Sequence, residues 1–211
     1  MTVSPREQLP TLRGRQTQAA IDAAARAVIA RKGILATTIS DIAAEAGKST
    51  ASFYNYYDSK EAMVREWAVR FRDEARERSR AAAEPGLTNW ERSYQAAAAH
   101  WNTYRNRLAE IISVSQLAMV NDDFAEYWSE ICSLPIGLIT QMIKQAQRQG
   151  FCTTEDDPHL MAVAMVSMLN QFCYTRLSGD AAADAIDDDA CITTLANIFY
   201  RTIYHKEAGL I

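Results

Sequence analysis

Apolar residues recur three and four positions apart along almost the whole chain, and no stretch alternates polar with apolar long enough to mark a strand, so the expected fold is all-α. Over residues 15–32, Ala20, Ile21, Ala24, Ala25, Val28 and Ile29 form one stripe, and Gly33 stands where a helix C-cap would. Two short helices follow. Thr38 can cap the first, with Asp41 as its capping-box partner and Ile42, Ala43 and Ala46 facing inward. Gly47 breaks it, and Ser49 can cap a second that runs through Tyr56. Asp58 and Glu61 frame a long helix carrying Met63, Trp67, Phe71 and Ala75 at four-residue intervals, continued by a charged face over 72–80. A stop at Ala83, Glu84, Pro85 and Gly86 precedes expected helices over 89–105, 108–119 and 122–149, the last kinked at Pro135. A loop over 150–158, an apolar helix over 158–177, an acidic loop over 179–188 and a final helix to about Lys206 complete a plan of about nine helices without repeats.

Two features of composition change this picture. The four cysteines, Cys132, Cys152, Cys173 and Cys191, are too far apart for a metal or redox motif, which points to reduced thiols and a cytoplasmic setting. The polar first fourteen residues contain Pro5 and Pro10 and no signal-like segment, and the greasiest run, 160–169, is too short to span a bilayer. Charge is divided by region. The chain carries −4 overall, but residues 1–60 hold eight cations against five anions, +3, which leaves −7 for the rest. A basic head on an acidic body suits an approach to phosphates by one end.

The run from Thr38 to Met63 is a helix, a glycine turn and a second helix, each too short to stand alone. Packed on the first helix, the second would project small polar residues, Ser49, Thr50 and Ala51, at a size that lets a helix end approach base edges in a major groove. Thr38, Asp41-Ile42-Ala43, Ala46-Gly47, Ser49, the cluster Phe53-Tyr54-Asn55-Tyr56-Tyr57 and Ser59-Lys60-Glu61 together resemble the tetracycline-repressor (TetR) family of bacterial regulators. By motif the resemblance covers about residues 15–65; beyond them it is one of length and helix pattern. Lys48, where an apolar residue is usual, and Tyr57, where Phe is usual, depart from the pattern. The resemblance implies that Thr38 and Ser40 hold the entrance of the first short helix, and that Thr50, Ala51, Ser52 and Asn55 lie nearest the bases. It implies phosphate contacts for Tyr54, Tyr56 and Lys60, to which Lys48 adds another, while the arm with Arg6 and Arg13 reaches an adjacent groove or is simply disordered.

The expected division is 1–60 for the arm and DNA-binding domain and 61–211 for an effector-binding and dimerisation domain. Ala46-Gly47-Lys48-Ser49-Thr50 mimics the end of a phosphate-binding loop, but Ile42 occupies its first glycine position and no strand precedes it. His100, His159 and His205 are dispersed, so no metal, cofactor or enzyme is expected. Rings and thioethers interspersed with amides suit an adaptable pocket for a mainly apolar ligand: Trp67, Phe71, Trp101, Tyr104, Gln116, Met119, Trp128, Met142, Met165 and Asn170. Met168, Leu169 and Phe172, then Leu195, Ile198 and Phe199, place apolar residues on more than one face of the last two helices, the pattern of a homodimer seam. The expected partners are thus a pseudo-palindromic DNA duplex, a small effector and a second copy, without a membrane. The alternatives are a helical carrier protein with a vestigial head, or a thiol sensor, although no cation adjoins Cys173 or Cys191 to activate a thiol.

Overall fold

Thr11 accepts a hydrogen bond from Gly14 N and opens α1 (Leu12–Ala36), slightly earlier than the stripe suggests. Regular helix ends at Gly33, with φ 76° and ψ 163°, a backbone that side-chain-bearing residues rarely adopt. A computed structural model describes residues 11–81, 86–153, 155–178 and 187–206, and from 72 to 81 the backbone alone. The arm with Arg6, the charged face over 72–80, the stop at 83–85 and the acidic loop from 179 to 186 lie outside the described residues or side chains.

Local signals set the next two helices. Thr38 accepts from Asp41 N at 3.1 Å while Asp41 accepts from Thr38 N at 2.8 Å, the reciprocal cap that starts α2 (Ile39–Glu45). The Lys32 ammonium, 2.7 Å from Asp41, together with the Thr38 donors, holds that carboxyl well below the usual range. Gly47, at φ 62°, turns the chain, and Ser49 caps α3 (Thr50–Tyr54) by accepting from Ser52 N at 3.2 Å.

The remaining elements are α4 (Lys60–Ala81), α5 (Asn89–Ala118), α6 (Asp122–Arg148), α7 (Pro158–Leu177) and α8 (Asp188–Ile203), with no strand among the described residues. Among the described residues there are eight helices, close to the nine expected, because the two expected over 89–105 and 108–119 form one element, broken at Arg107 (φ −132°, ψ 26°). α6 continues through Pro135 as one helix.

Burial divides the core in two. One cluster joins Ile21, Ile29, Ile34, Ile42, Phe53, Tyr57, Met63 and Trp67 of the N-terminal head to Ala109, Val114, Leu117 and Phe124 of the body. The other fills the bundle with Trp101, Tyr104, Ile143, Met165, Leu169, Leu195 and Phe199, among others. The break at Arg107 lies near the change-over: Ala97, Trp101 and Tyr104 before it serve the body cluster and Ala109, Val114 and Leu117 after it serve the head, while Ile111, also after it, still serves the body. α4 likewise starts in the head with Met63, Val64, Trp67 and Ala68 and reaches the body with Phe71.

Polar contacts reinforce the junction. Gln116 of α5 accepts from Ile34 N at 3.0 Å, and a Cβ added at Gly33 would lie 2.7 Å from the same amide oxygen. Glu110, 3 % exposed, receives Arg26 at 2.8 Å, and that guanidinium also lies 4.8 Å from the Trp67 ring centroid. Gly33→Ala should therefore lower stability by about 2 kcal/mol, from the positive φ and the displaced amide. Gln116→Ala should cost roughly 1–3 kcal/mol by stripping the Ile34 N–H of its acceptor. In urea unfolding the double variant is expected to lose less than the two single losses added together, since both act through one contact.

Candidate nucleic-acid interface and effector core

A five-residue helix is held by its neighbours or not at all. α3 is anchored by Phe53, which is fully buried and meets the Tyr57 ring at 5.6 Å. Tyr57 donates to Asp22 at 2.7 Å and accepts from Gln18 at 3.1 Å, tying the end of the motif to α1; desolvation pushes its phenol pKa far up. The aromatic cluster is thereby split. Phe53 and Tyr57 serve the core, while Tyr54 remains 54 % exposed and Tyr56 half-buried.

Lys48, Ser49, Thr50, Ala51, Tyr54 and Asn55 are exposed on and around α3, with Ser52 half-buried among them. Thr38 and Ser40 are exposed at the start of α2. The result is a protruding rod of small and hydrogen-bonding side chains, dimensioned for a major groove. Ser49 is engaged as the cap of α3, with its hydroxyl 3.1 Å from that of Ser52.

Lys60 departs from its expected place on a phosphate. Its ammonium donates to the carbonyls of Ile34 and Thr37 at 2.9 Å each, satisfying acceptors that α1 exposes beyond its break at Gly33. Other head cations are paired too: Arg31 with Glu45 at 2.8 Å, Lys32 with Asp41, and Arg26 with Glu110. The pairs with Glu45 and Asp41 are already counted in the +3 of the head, and of these partners only Glu110, from the body, takes from it. Lys48 beside the turn and Arg13 and Arg15 at the start of α1 are exposed.

The ten residues expected around an effector do not form one group. Phe71, Trp101, Tyr104 and Met165 lie in the body cluster, with Met142 packed on it. Trp128 packs on both clusters, and Trp67 belongs to the head cluster, its indole Nε1 buried without a partner. Gln116 is occupied as the clamp on Ile34, and Met119, the C-cap of α5, is 81 % exposed, since the helix ends before it can turn inward. Asn170 donates to the Cys132 sulfur at 3.8 Å. His100, which the dispersed histidines gave no reason to single out, has its Nε2 buried without a partner and its ring 5.2 Å from that of Tyr104.

Of the six residues expected at a seam on the last two helices, three are consumed inside the protomer. Leu169, Leu195 and Phe199 are each 1 % exposed inside the protomer's own core, because α7 and α8 pack there on α5 and α6. Phe172 is half-buried, 6.1 Å from Trp101. Met168 and Ile198 are each 38 % exposed, apolar and outward.

Sequence reasoning missed Arg26, Glu110, Asp22 and His100. A faint signal existed for two: Glu110 interrupts the run Leu108-Ala109-Glu110-Ile111-Ile112, and Arg26 sits in the alanine stripe of α1. A lone charge in an apolar stripe needs a partner.

A cap-defined helix-turn-helix presented on α1 and joined to an all-helical bundle is the architecture of a DNA-binding regulator. Residues 21–67 match the family described as bacterial regulatory proteins, tetR family, and residues 90–205 match the C-terminal domain of the transcriptional regulator EthR. The chain belongs to the tetR family of bacterial transcriptional regulators. It is 30% identical over 141 residues to the HTH-type transcriptional repressor KstR2 of Rhodococcus jostii (strain RHA1), a span of 61% of this chain and 68% of the relative. Its fold is shared with a TetR-like regulator from Rhodococcus sp. RHA1, at TM-score 0.65 and 21% identity over 92% of this chain and 97% of the other. FadR from Bacillus subtilis, solved in complex with stearoyl-CoA, superposes at TM-score 0.58 and 18% identity, covering 86% of this chain and 97% of its own.

Lys60→Met should lower the melting temperature by a few degrees, because the Thr37 carbonyl loses the Lys60 donor and the Ile34 carbonyl keeps only the Thr37 N–H, and weaken binding to all duplexes in proportion to lost folded protein. Tyr54→Ala should leave melting nearly unchanged and weaken binding to every duplex, whereas Thr50→Ala and Asn55→Ala should change which duplex is preferred. Parallel thermal denaturation and fluorescence-anisotropy titrations on matched and mismatched duplexes check all four.

Proposed function

We propose that this chain is a transcriptional repressor that binds a pseudo-palindromic operator as a homodimer and is released by a small, mainly apolar molecule in the core of its helical bundle. The observation that carries the reading is the shared core: α5 and α4 each begin in one cluster and end in the other, so a ligand that repacks the bundle moves the platform of α3. Such a ligand acts through its differential affinity for two head spacings. In this reading residues 1–60 read DNA, and 61–211 bind the effector and the second copy through a seam that includes Met168 and Ile198. Support comes from the repressor name of the Rhodococcus jostii relative and from the acyl thioester in the Bacillus subtilis FadR complex.

The chain acts in the cytoplasm as a binding protein and catalyses no reaction. Among the described residues no helix is long and apolar enough to cross a membrane. A thiol-sensing mechanism is disfavoured by the environment of the cysteines: burial pushes Cys132 up to about 11 and Cys173 up to about 12, which keeps both as unreactive thiols.

A gel shift with the DNA flanking the chain's own gene tests the first claim, with a retarded complex expected that weakens steeply as salt rises. Trp67 carries the coupling test. Its burial makes an alanine there a stability variant, costing about 3–5 kcal/mol, so Trp67→Phe is the informative change. It should leave operator affinity within about twofold and reduce effector-driven release more strongly; equal loss of both would place Trp67 outside the coupling. Treatment with diamide should leave operator binding unchanged.

A further inference from the structure

A buried polar atom without a partner costs free energy that native proteins rarely leave uncompensated. The His100 Nε2 is such an atom. It sits in α5 against Tyr104, whose neighbours include Cys132 and Cys173. Burial pushes the imidazole down to about 4 against the opposing effect of the nearby Asn170 amide, so the ring is neutral near pH 7 and offers one donor and one acceptor nitrogen. Asn170 in turn donates to Cys132.

Cys132 connects this interior to the surface. It lines a groove of about 370 Å³ that also includes Ser129, Ile136, Thr140 and His159, and no Asp, Glu, Lys or Arg lines it. On one side, then, is an open groove with no Asp, Glu, Lys or Arg among its described lining residues; on the other, a half-buried histidine whose Nε2 is buried and unused. Cys132 and Asn170 lie between them, and the rings of Trp101 and Phe172 and the Met165 side chain belong to the same core.

We propose that His100 and Asn170 anchor an uncharged hydrogen-bonding group of the effector, a ketone, hydroxyl, ester or thioester carbonyl, that enters past Cys132 between α6 and α7 with its apolar remainder in the bundle core. The inference rests on the effector-binding reading of the bundle and adds to it the polarity of the ligand and the residues that select it. At the His100–Asn170 anchor a carboxylate or an ammonium would meet only neutral groups and would be left buried without a counter-charge. A ketone or alcohol exchanges its water for the idle nitrogen at little loss. His100 thereby becomes a specificity residue, one whose absence costs the ligand and relieves the ligand-free protein.

The test uses the full chain and four probes of one chain length: decan-2-one, 1-decanol, decanoate and decylamine. Binding is followed by tryptophan fluorescence and by the imidazole nitrogen resonances of the ¹⁵N-labelled protein. The ketone and alcohol are expected to bind at least tenfold more tightly than the two ions and to shift the His100 Nε2 resonance. H100F should weaken the ketone about tenfold, as loss of one buried hydrogen bond does, while raising the melting temperature of the ligand-free protein. H100Q should restore affinity to within about threefold. An unmoved Nε2 resonance, equal binding of the ions, or no binding by any probe overturns the proposal, and the wild-type resonance decides even where H100F fails to fold. A gel shift without probe is run beside it: ketone binding that depends on His100 with no operator binding removes the repressor reading and leaves the anchor, and the converse removes the anchor alone.

Discussion

Everything distinctive in this molecule depends on the burial of one surface between the DNA-reading head and the second half of α5. Helices of seven and five residues have no stability of their own. They exist because Ile42 and Phe53 are covered, in a cluster that α1 and α4 share with Ala109, Val114 and Leu117. Burial of that kind is non-directional and would tolerate sliding. The directional part comes from polar contacts at its edge: Gln116 on the Ile34 amide, Arg26 on Glu110, and Lys60 on the carbonyls past Gly33. Apolar area holds the head on, and these few hydrogen bonds fix its angle.

That division also separates what could be read in the sequence from what could not. The reciprocal cap of Thr38 and Asp41, the cap at Ser49 and the turn at Gly47 were legible because each is decided within four residues. Gln116 and Glu110 were not, because their partners lie 82 and 84 positions away, and nothing local tells a clamp from a solvated or ligand-facing side chain. Lys60 was misplaced for the same reason: a lysine after a helix-turn-helix reads as a phosphate contact until the carbonyls it serves, 26 and 23 positions earlier, are known. The seam on α7 and α8 shows a different limit. Both helices are apolar on more than one face, and periodicity cannot say which face the protomer itself consumes; Leu169, Leu195 and Phe199 went inward.

Charge accounting changes in the same direction. An excess of cations in the first sixty residues suggested a basic head, and Arg26, Arg31, Lys32 and Lys60 within it are engaged by carboxylates or carbonyls. Lys48, Arg13 and Arg15 remain exposed on the same head.

The interruption of α5 at Arg107 has a consequence for how such a protein can diversify. One rod carries two jobs in series, with a joint between them. Ala97, Trp101 and Tyr104 upstream of the joint pack in the bundle, and Ala109, Val114 and Leu117 downstream pack under the head, with Ile111 turned back to the bundle. A change in the first half of the rod therefore leaves most of the contacts under the head untouched, so the two halves can vary at little mutual cost.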